Sequence, residues 1–343
     1  MKKALLIFLK LAVTTVLLGM IFREHQFRQS ILPHLSALGT NWQWTLGGLA
    51  CYGLSVWLSS LRWEVLLRGQ KHPVPGKEVL RVTVVSTFFN ITSLGHVGGD
   101  AYRILALMRR PGAQRLPVVV SVILDHLVGM VGIAILFLSC RVVFDDRLAT
   151  LSPEVRTILK GFEMFMGGAL FFVILSAISF TPHLYNWGEK QWPRMLGFAP
   201  LKSFANACDA LRRDWPGSLI AIVLSVLLFA AHFLSFYCAI FAVGGQAPLL
   251  EVMGAMPIVD TAAGLPISVS GLGVREKTFE TLMHALTGLP EATAVSASLV
   301  GWLMSVAWGV LGGLLFLKGG GKASLPSENS EAQTENREPR TEN

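Results

Sequence analysis

What this chain has least of is charge. Asp, Glu, Lys and Arg supply 15% of its 343 residues, while apolar types supply 52%. Soluble domains carry about 25% charge, so that class is excluded. Cysteine is scarce too, with only Cys51, Cys140, Cys208 and Cys238 and no Cys-x-x-Cys pair. Such spacing argues against a zinc site or a disulfide framework, and the four read as small core hydrophobes. The chain also lacks His-Glu-x-x-His, a P-loop, Gly-x-Ser-x-Gly and any Asp-x-Asp pair. No catalytic residue, metal or cofactor is therefore assigned.

What is there is long apolar sequence. Segments at 4–22, 44–67, 82–98, 117–139, 158–181, 216–244, 251–287 and 291–317 are each rich in Leu, Val, Ile, Ala and Phe. Runs of about 20 such residues are the mark of a polytopic helical membrane protein. The first, behind Lys2 and Lys3, reads as a retained span rather than a cleaved signal peptide, because Lys10 interrupts it and no small-residue cleavage site follows. Residues 1–317 are expected to form one transmembrane domain, and 318–343 a disordered cytoplasmic tail, polar and poor in aromatics. In the loop at 182–215, Leu201, Phe204, Cys208 and Leu211 repeat at helical spacing beside Lys202, Arg212 and Arg213. That pattern fits a helix lying in the membrane interface, and equally one packed on protein.

The net charge of +7 calls for no nucleic acid, because the basic residues sit between apolar segments. Cytoplasmic loops attract Lys and Arg. If every segment spans, Arg103, Arg109, Arg110, Arg115, Lys190, Arg194, Lys202, Arg212 and Arg213 all fall outside, against that rule. If 82–98 and 251–287 each leave by the face they came from, seventeen Lys and Arg lie inside and five outside. The expected fold is thus all-α and polytopic, with six full spans and two oppositely oriented re-entrant helical segments, resembling an inverted repeat. Both termini face the cytoplasm, and the two N-terminal lysines suit a bacterial inner (plasma) membrane.

The two re-entrant segments resemble each other. The first turns at GHVGGDAYR (95–103) and the second at SGLGVRE (270–276), each with close glycines, then an acid and an arginine. Backbone freed from helical hydrogen bonds within a membrane survives only beside protein or a wet cavity. Glycine permits the turn and the close approach. A helix restarts after each break, near Asp100 and near Val274, and helix N-termini favour anions. Asp100 reads as the N-cap of the first restarted helix. Arg275 opposes the dipole of the second. Its partner is expected at Asp100, at Asp125 or on a ligand, since Glu276 as next neighbour faces elsewhere. Gly98, Gly99, Asp100, Arg103, Asp125, Ser270, Gly271, Gly273, Arg275 and Glu276 are therefore the candidate substrate-binding residues. A buried ion-pair network that fixes the broken helices is the competing, compatible role.

Other polar residues carry less. Asp125, beside His126 in VSVILDHLVGM, is expected to pair with an arginine in the core. Asp260 lies within the second broken segment and is a candidate to face the cavity. His232 reads as a satisfied core histidine, Glu163 as a local partner of Lys160, and Arg62 and Trp63 as interface anchors.

SSLRWEVLL (59–67), TFFNITSLGHVGGDAYR (87–103), ILDHLVG (123–129) and PISVSGLGVRE (266–276) together resemble the lysylphosphatidylglycerol synthase transmembrane region, the flippase-like or uncharacterised protein family 0104. The family usually has a proline before its GGD turn, where this chain has Ser93-Leu94-Gly95-His96, and Asp-Arg where this chain has Asp125-His126. The resemblance implies an integral membrane protein that moves or handles lipid. In bifunctional members, such as the multiple peptide resistance factor, this region is linked to translocating an aminoacylated phospholipid made by a separate C-terminal domain. That synthase is expected to be absent, since the chain stops soon after Lys318.

The function expected is therefore lipid translocation, with an anionic headgroup held by the helix N-termini, Arg103 and Arg275. Its partners are a membrane lipid substrate and the bilayer, with lipid-biosynthesis enzymes or further copies of the chain compatible with it. A membrane enzyme or an accessory subunit in phospholipid, glycolipid or hopanoid biosynthesis is the alternative.

Overall fold

A computed structural model of the protein describes residues 37–92, 97–110, 115–148, 151–179, 199–265 and 271–318. The apolar segment at 4–22 and the tail after 318 lie outside the described residues. So do Ser270 and the first half, 182–198, of the loop expected at 182–215.

Helices follow one another as α1 (Trp42–Gly69), α2 (Gly76–Thr92), α3 (Val97–Met108), α4 (Arg115–Leu148), α5 (Pro153–Ser179), α6 (Ala199–Arg213), α7 (Trp215–Ala242), α8 (Leu249–Gly264), α9 (Val274–Thr287) and α10 (Glu291–Lys318). No strand occurs among the described residues. Stretches of α4, α5, α7 and α10, namely Leu116–Cys140, Pro153–Ser176, Trp215–Ala242 and Glu291–Lys318, are long and apolar enough to cross a bilayer. α1 matches them in length at 28 residues but carries Arg62, Glu64 and several serines. Met164, Phe171, Phe172 and Leu175 on α5, and Leu303, Val310, Leu314 and Leu317 on α10, are exposed. That much apolar surface is an aggregation hazard in water and is at home among lipid chains.

α1 and α7 form the central pair and run antiparallel. At one end Asn41 Nδ2 donates to the carbonyls of Phe241 and Ala242, at 3.2 and 3.4 Å. At the other end Gly69 abuts the Asp214 carboxylate. Asp214 is also the N-cap of α7, accepting from the Gly217 N–H at 3.2 Å, with Pro216 in the first turn. Both features favour a helix start. Arg68, Arg212 and Arg213 stand at this second end, which is hereafter the basic end.

Two helical hairpins fill the bundle. The α2–α3 hairpin opens at the basic end, where Arg110, just past α3, lies 3.5 Å from Glu78 in the first turn of α2. The α8–α9 hairpin opens at the opposite end, where Gly245, ahead of α8, packs on Thr293 at the start of α10. Each arm has 12 to 17 residues, roughly 18–26 Å at 1.5 Å per residue, against about 42 Å for α1. The hairpin arms thus reach only part-way through the bundle, and their inner ends meet inside it. The first hairpin is longer than the segment 82–98 expected from hydropathy, because the polar first turn of α2 and all of α3 belong to it.

Glycine sets how closely α2 lies against α10. A side-chain carbon on Gly312 would run into the Val84 carbonyl, and one on Gly309 or Gly313 into Ile91 or Phe88. Small residues that let backbones approach are the usual means of helix association in lipid. At the basic end α6 packs against α4 and α5, with Ala205, Ala207, Cys208 and Asp209 buried. Its buried face therefore meets protein, and Arg212 and Arg213 turn out to hold Asp209. Burial pushes the Cys208 thiol up to about 11, so it stays an unreactive thiol. The four cysteines are free.

Candidate functional site

The inner ends of the two hairpins' arms share one cavity of about 490 Å³. α2 and α3 contribute Asn90, Asp100 and Arg103 to it, and α8 and α9 contribute Asp260, Gly264 and Arg275. α1, α4, α7 and α10 wall it in. Its charged groups fall into two layers.

The layer nearer the basic end is built on Asp125 of α4. Asp125 Oδ1 accepts from Arg62 Nε at 2.7 Å, and Oδ2 accepts from Arg103 Nη1 at 3.1 Å. All three side chains are nine-tenths or more buried. Three further guanidinium nitrogens meet hydroxyls. Arg62 Nη1 donates to Ser225 Oγ at 3.0 Å, and Arg103 donates to Ser86 and Ser59, both at 3.3 Å. Arg103 also lies 5.1 Å from the centre of the Trp63 ring, whose Nε1 donates to Ser121 at 3.1 Å. A cation over an indole face is attracted by the ring quadrupole. Asp100, one turn before Arg103, lies 2.8 Å from His126 Nε2.

The second layer lies toward the opposite end. His232 Nε2 on α7 is 3.4 Å from Asp260 Oδ1 on α8. The His232 ring meets Tyr52 of α1 edge-on, with centroids 5.6 Å apart. Asp260 and Arg275 both act on the Tyr52 hydroxyl through space. Arg62 is seven residues from the end of α1 and Tyr52 ten from its start, so the layers lie about 10 and 15 Å from opposite ends of the bundle.

Asp100 is not the N-cap expected of it. α3 starts at Val97, and Asp100 stands within its first turn. The free Gly99 N–H is satisfied instead by Asn90 Oδ1 at 3.0 Å. A side chain at Gly99 would collide with Asn90 and with the Ser86 carbonyl, so glycine is what lets α3 fold back on α2. Gly98 shares that first turn.

In the second hairpin Gly271 and Gly273 have φ of +73° and +85°, a region that favours glycine. Gly273 caps α9, and Glu276 Oε2 accepts the Gly273 N–H at 2.5 Å. Glu276 is fully buried and does not line the cavity. Its carboxylate sits on the helix N-terminus, where a negative charge is favoured. Arg275 points the other way, into the cavity. Its expected carboxylate partners, Asp100 and Asp125, are engaged by His126 and by Arg62 and Arg103, and it shares its layer with Asp260.

Arg62 and Trp63 are not interface anchors but core members of the site, at 7% and 0% exposure. His232 is a cavity residue rather than an enclosed core histidine. Among the described residues no cluster of three or more His, Cys, Asp or Glu could hold a metal.

The lysylphosphatidylglycerol synthase TM region family matches residues 7–313. The chain belongs to that family. A UPF0104 membrane protein of Pyrococcus horikoshii is 21% identical over 337 residues, which cover 93% of this chain and 97% of that protein. No solved structure matches the chain significantly. Both hairpins and all the charged residues of the cavity fall inside the lysylphosphatidylglycerol synthase TM region match.

Proposed function

We propose that this protein is a lipid translocase without enzymatic activity. It binds an amphiphile by its anionic headgroup between the two hairpins and passes it between leaflets. The observation that carries this reading is the shared cavity, with one aspartate and one arginine from each of two oppositely opening hairpins. Broken helices meeting at mid-depth around charged groups are how many transporters make a substrate site. Ionisable side chains held so deep are costly and therefore point to function. In this reading each hairpin is re-entrant, and six spans cross a bacterial inner membrane. The basic end and both termini face the cytoplasm. The partner is bilayer lipid, with lipid-biosynthesis enzymes as suppliers or consumers.

Arg103 and Arg275 contact the phosphate in this scheme, while Arg62 and Asp125 hold Arg103 in position. The experiment is reconstitution in vesicles carrying a fluorescent phosphatidylglycerol in both leaflets, with an outside quencher reporting exchange. Wild type is expected to expose the inner-leaflet probe, and Arg275→Ala to slow exposure at least tenfold. Equal exposure in empty and protein-containing vesicles rules the reading out. Uptake of soluble glycerol phosphate without lipid exchange would reassign the site to a free anion.

A further inference from the structure

Building on the translocase reading, we infer that the anionic headgroup is bound and carried together with protons, taken up by His126 and His232.

The argument starts from charge. The cavity is lined by Arg62, Arg103 and Arg275 and by Asp100, Asp125 and Asp260. Among the described residues three cations stand against three carboxylates, so these lining groups sum to zero when the histidines are neutral. A phosphodiester adds a negative charge to it. In a low-dielectric interior an uncompensated charge is expensive. One proton per headgroup restores neutrality, and histidine is the side chain that gains a proton near physiological pH.

Geometry supplies the acceptors. Each hairpin sets its aspartate against a histidine of a long helix, Asp100 against His126 at 2.8 Å and Asp260 against His232 at 3.4 Å. The charged groups that act on His126 are Asp100 and Arg103 from α3 and Asp125 from its own helix. Arg62 of α1 reaches this set through Asp125. Those that face His232 are Asp260 from α8 and Tyr52 from α1, with Arg275 of α9 beyond Tyr52.

Consider the layer near the basic end. With His126 neutral, Asp100 and Asp125 together balance Arg62 and Arg103, and an added anion brings an uncompensated charge. With His126 protonated, the imidazolium takes up the charge of Asp100. Asp125 is then left alone against two guanidiniums, and one positive charge is free for phosphate. The second layer works alike: a proton on His232 adds one positive charge beside Asp260, in the layer that Arg275 lines. A headgroup passing from one layer to the other therefore meets the same requirement twice, once from each side of the membrane.

The quantitative expectation follows from the competent fraction. If only the protonated site binds, apparent affinity falls as that fraction falls, about tenfold per pH unit above the titration midpoint. The test uses the vesicle assay with equal pH on both sides, at about pH 6 and about pH 8, a range across which histidine titrates. Labelled phosphatidylglycerol is a suitable probe, because its phosphodiester keeps one charge across that range. Wild type should exchange the probe at least tenfold faster at the lower pH. The His126→Gln/His232→Gln double variant should be slow and insensitive to pH. His126→Lys, which keeps a cation on Asp100, should lose much of the slowing at the higher pH. A wild-type rate that changes less than twofold overturns the proton linkage while leaving translocation intact. So does a double variant that keeps the wild-type pH profile. No protein-dependent exchange at either pH overturns the translocase reading, and this inference with it.

Discussion

Arg62 of α1 and Asp125 of α4 meet at 2.7 Å, Nε to Oδ1, with side chains only 8% and 5% exposed. The contact ties the central helix pair to the wall of the cavity. Because Asp125 also holds Arg103, Asp125→Ala leaves two guanidiniums buried against one another. Breaking a buried pair in this way costs on the order of 3–5 kcal/mol. The expected outcome is a large loss of thermal stability in detergent, read by unfolding of the purified protein. Asp100→Asn, which keeps a polar partner for His126, should change the melting point far less.

That pair also marks what could be read from the sequence. The apolar runs, the two glycine breaks and the pairing of Asp125 with an arginine are all legible, because lipid and backbone hydrogen bonding constrain them strongly. The identity of the arginine was not. Arg62 stands near the end of the hydropathic run at 44–67, where an anchoring residue is expected. α1 in fact continues to Gly69, which carries Arg62 two turns inward. Hydropathy averages cannot tell an arginine at the interface from one whose charge is cancelled by residues far along the chain. Ser59 and Ser60, just ahead of it, are the local hint of a polar helix face. The start of α3 escapes the sequence for a similar reason, since its free N–H is capped by Asn90 from the preceding helix rather than by its own Asp100.

The α2–α10 contact gives a second prediction. Gly312→Leu forces a side chain into the Val84 carbonyl and should prevent the first hairpin from docking. Strained or overpacked sites cost typically 1–3 kcal/mol and sometimes more. Loss of monodisperse protein in size-exclusion chromatography is the expected readout. Gly161→Ala on α5, where nothing lies within 4 Å, should behave as wild type.

Glu276 offers a third. It is buried and caps α9 from below, so Glu276→Ala should destabilise by about 1 kcal/mol, in the range for a lost cap. Glu276→Gln retains an acceptor for the Gly273 N–H and should recover much of that loss. In the vesicle assay Glu276→Gln should translocate within a few-fold of wild type, whereas a direct headgroup ligand would not tolerate the change.

The opposed hairpins predict opposed accessibility. In a chain whose four cysteines are replaced by alanine, a cysteine at Lys77, exposed at the open end of the first hairpin, should be labelled by a membrane-impermeant maleimide only from the cytoplasmic face. A cysteine at Leu249, exposed at the open end of the second, should be labelled only from the outer face. Labelling of both from one side would show that the hairpins are not inverted across the bilayer.

Whether a lipid headgroup occupies the shared cavity is tested most directly by native mass spectrometry of protein released from mild detergent. Wild type should retain one phospholipid through detergent exchange. Arg275→Ala should lose it while keeping its fold, and Leu314→Ala, on the exposed face of α10, should keep it. Equal lipid retention by wild type and Arg275→Ala, or no retained lipid in the wild type, would contradict a headgroup site between the hairpins.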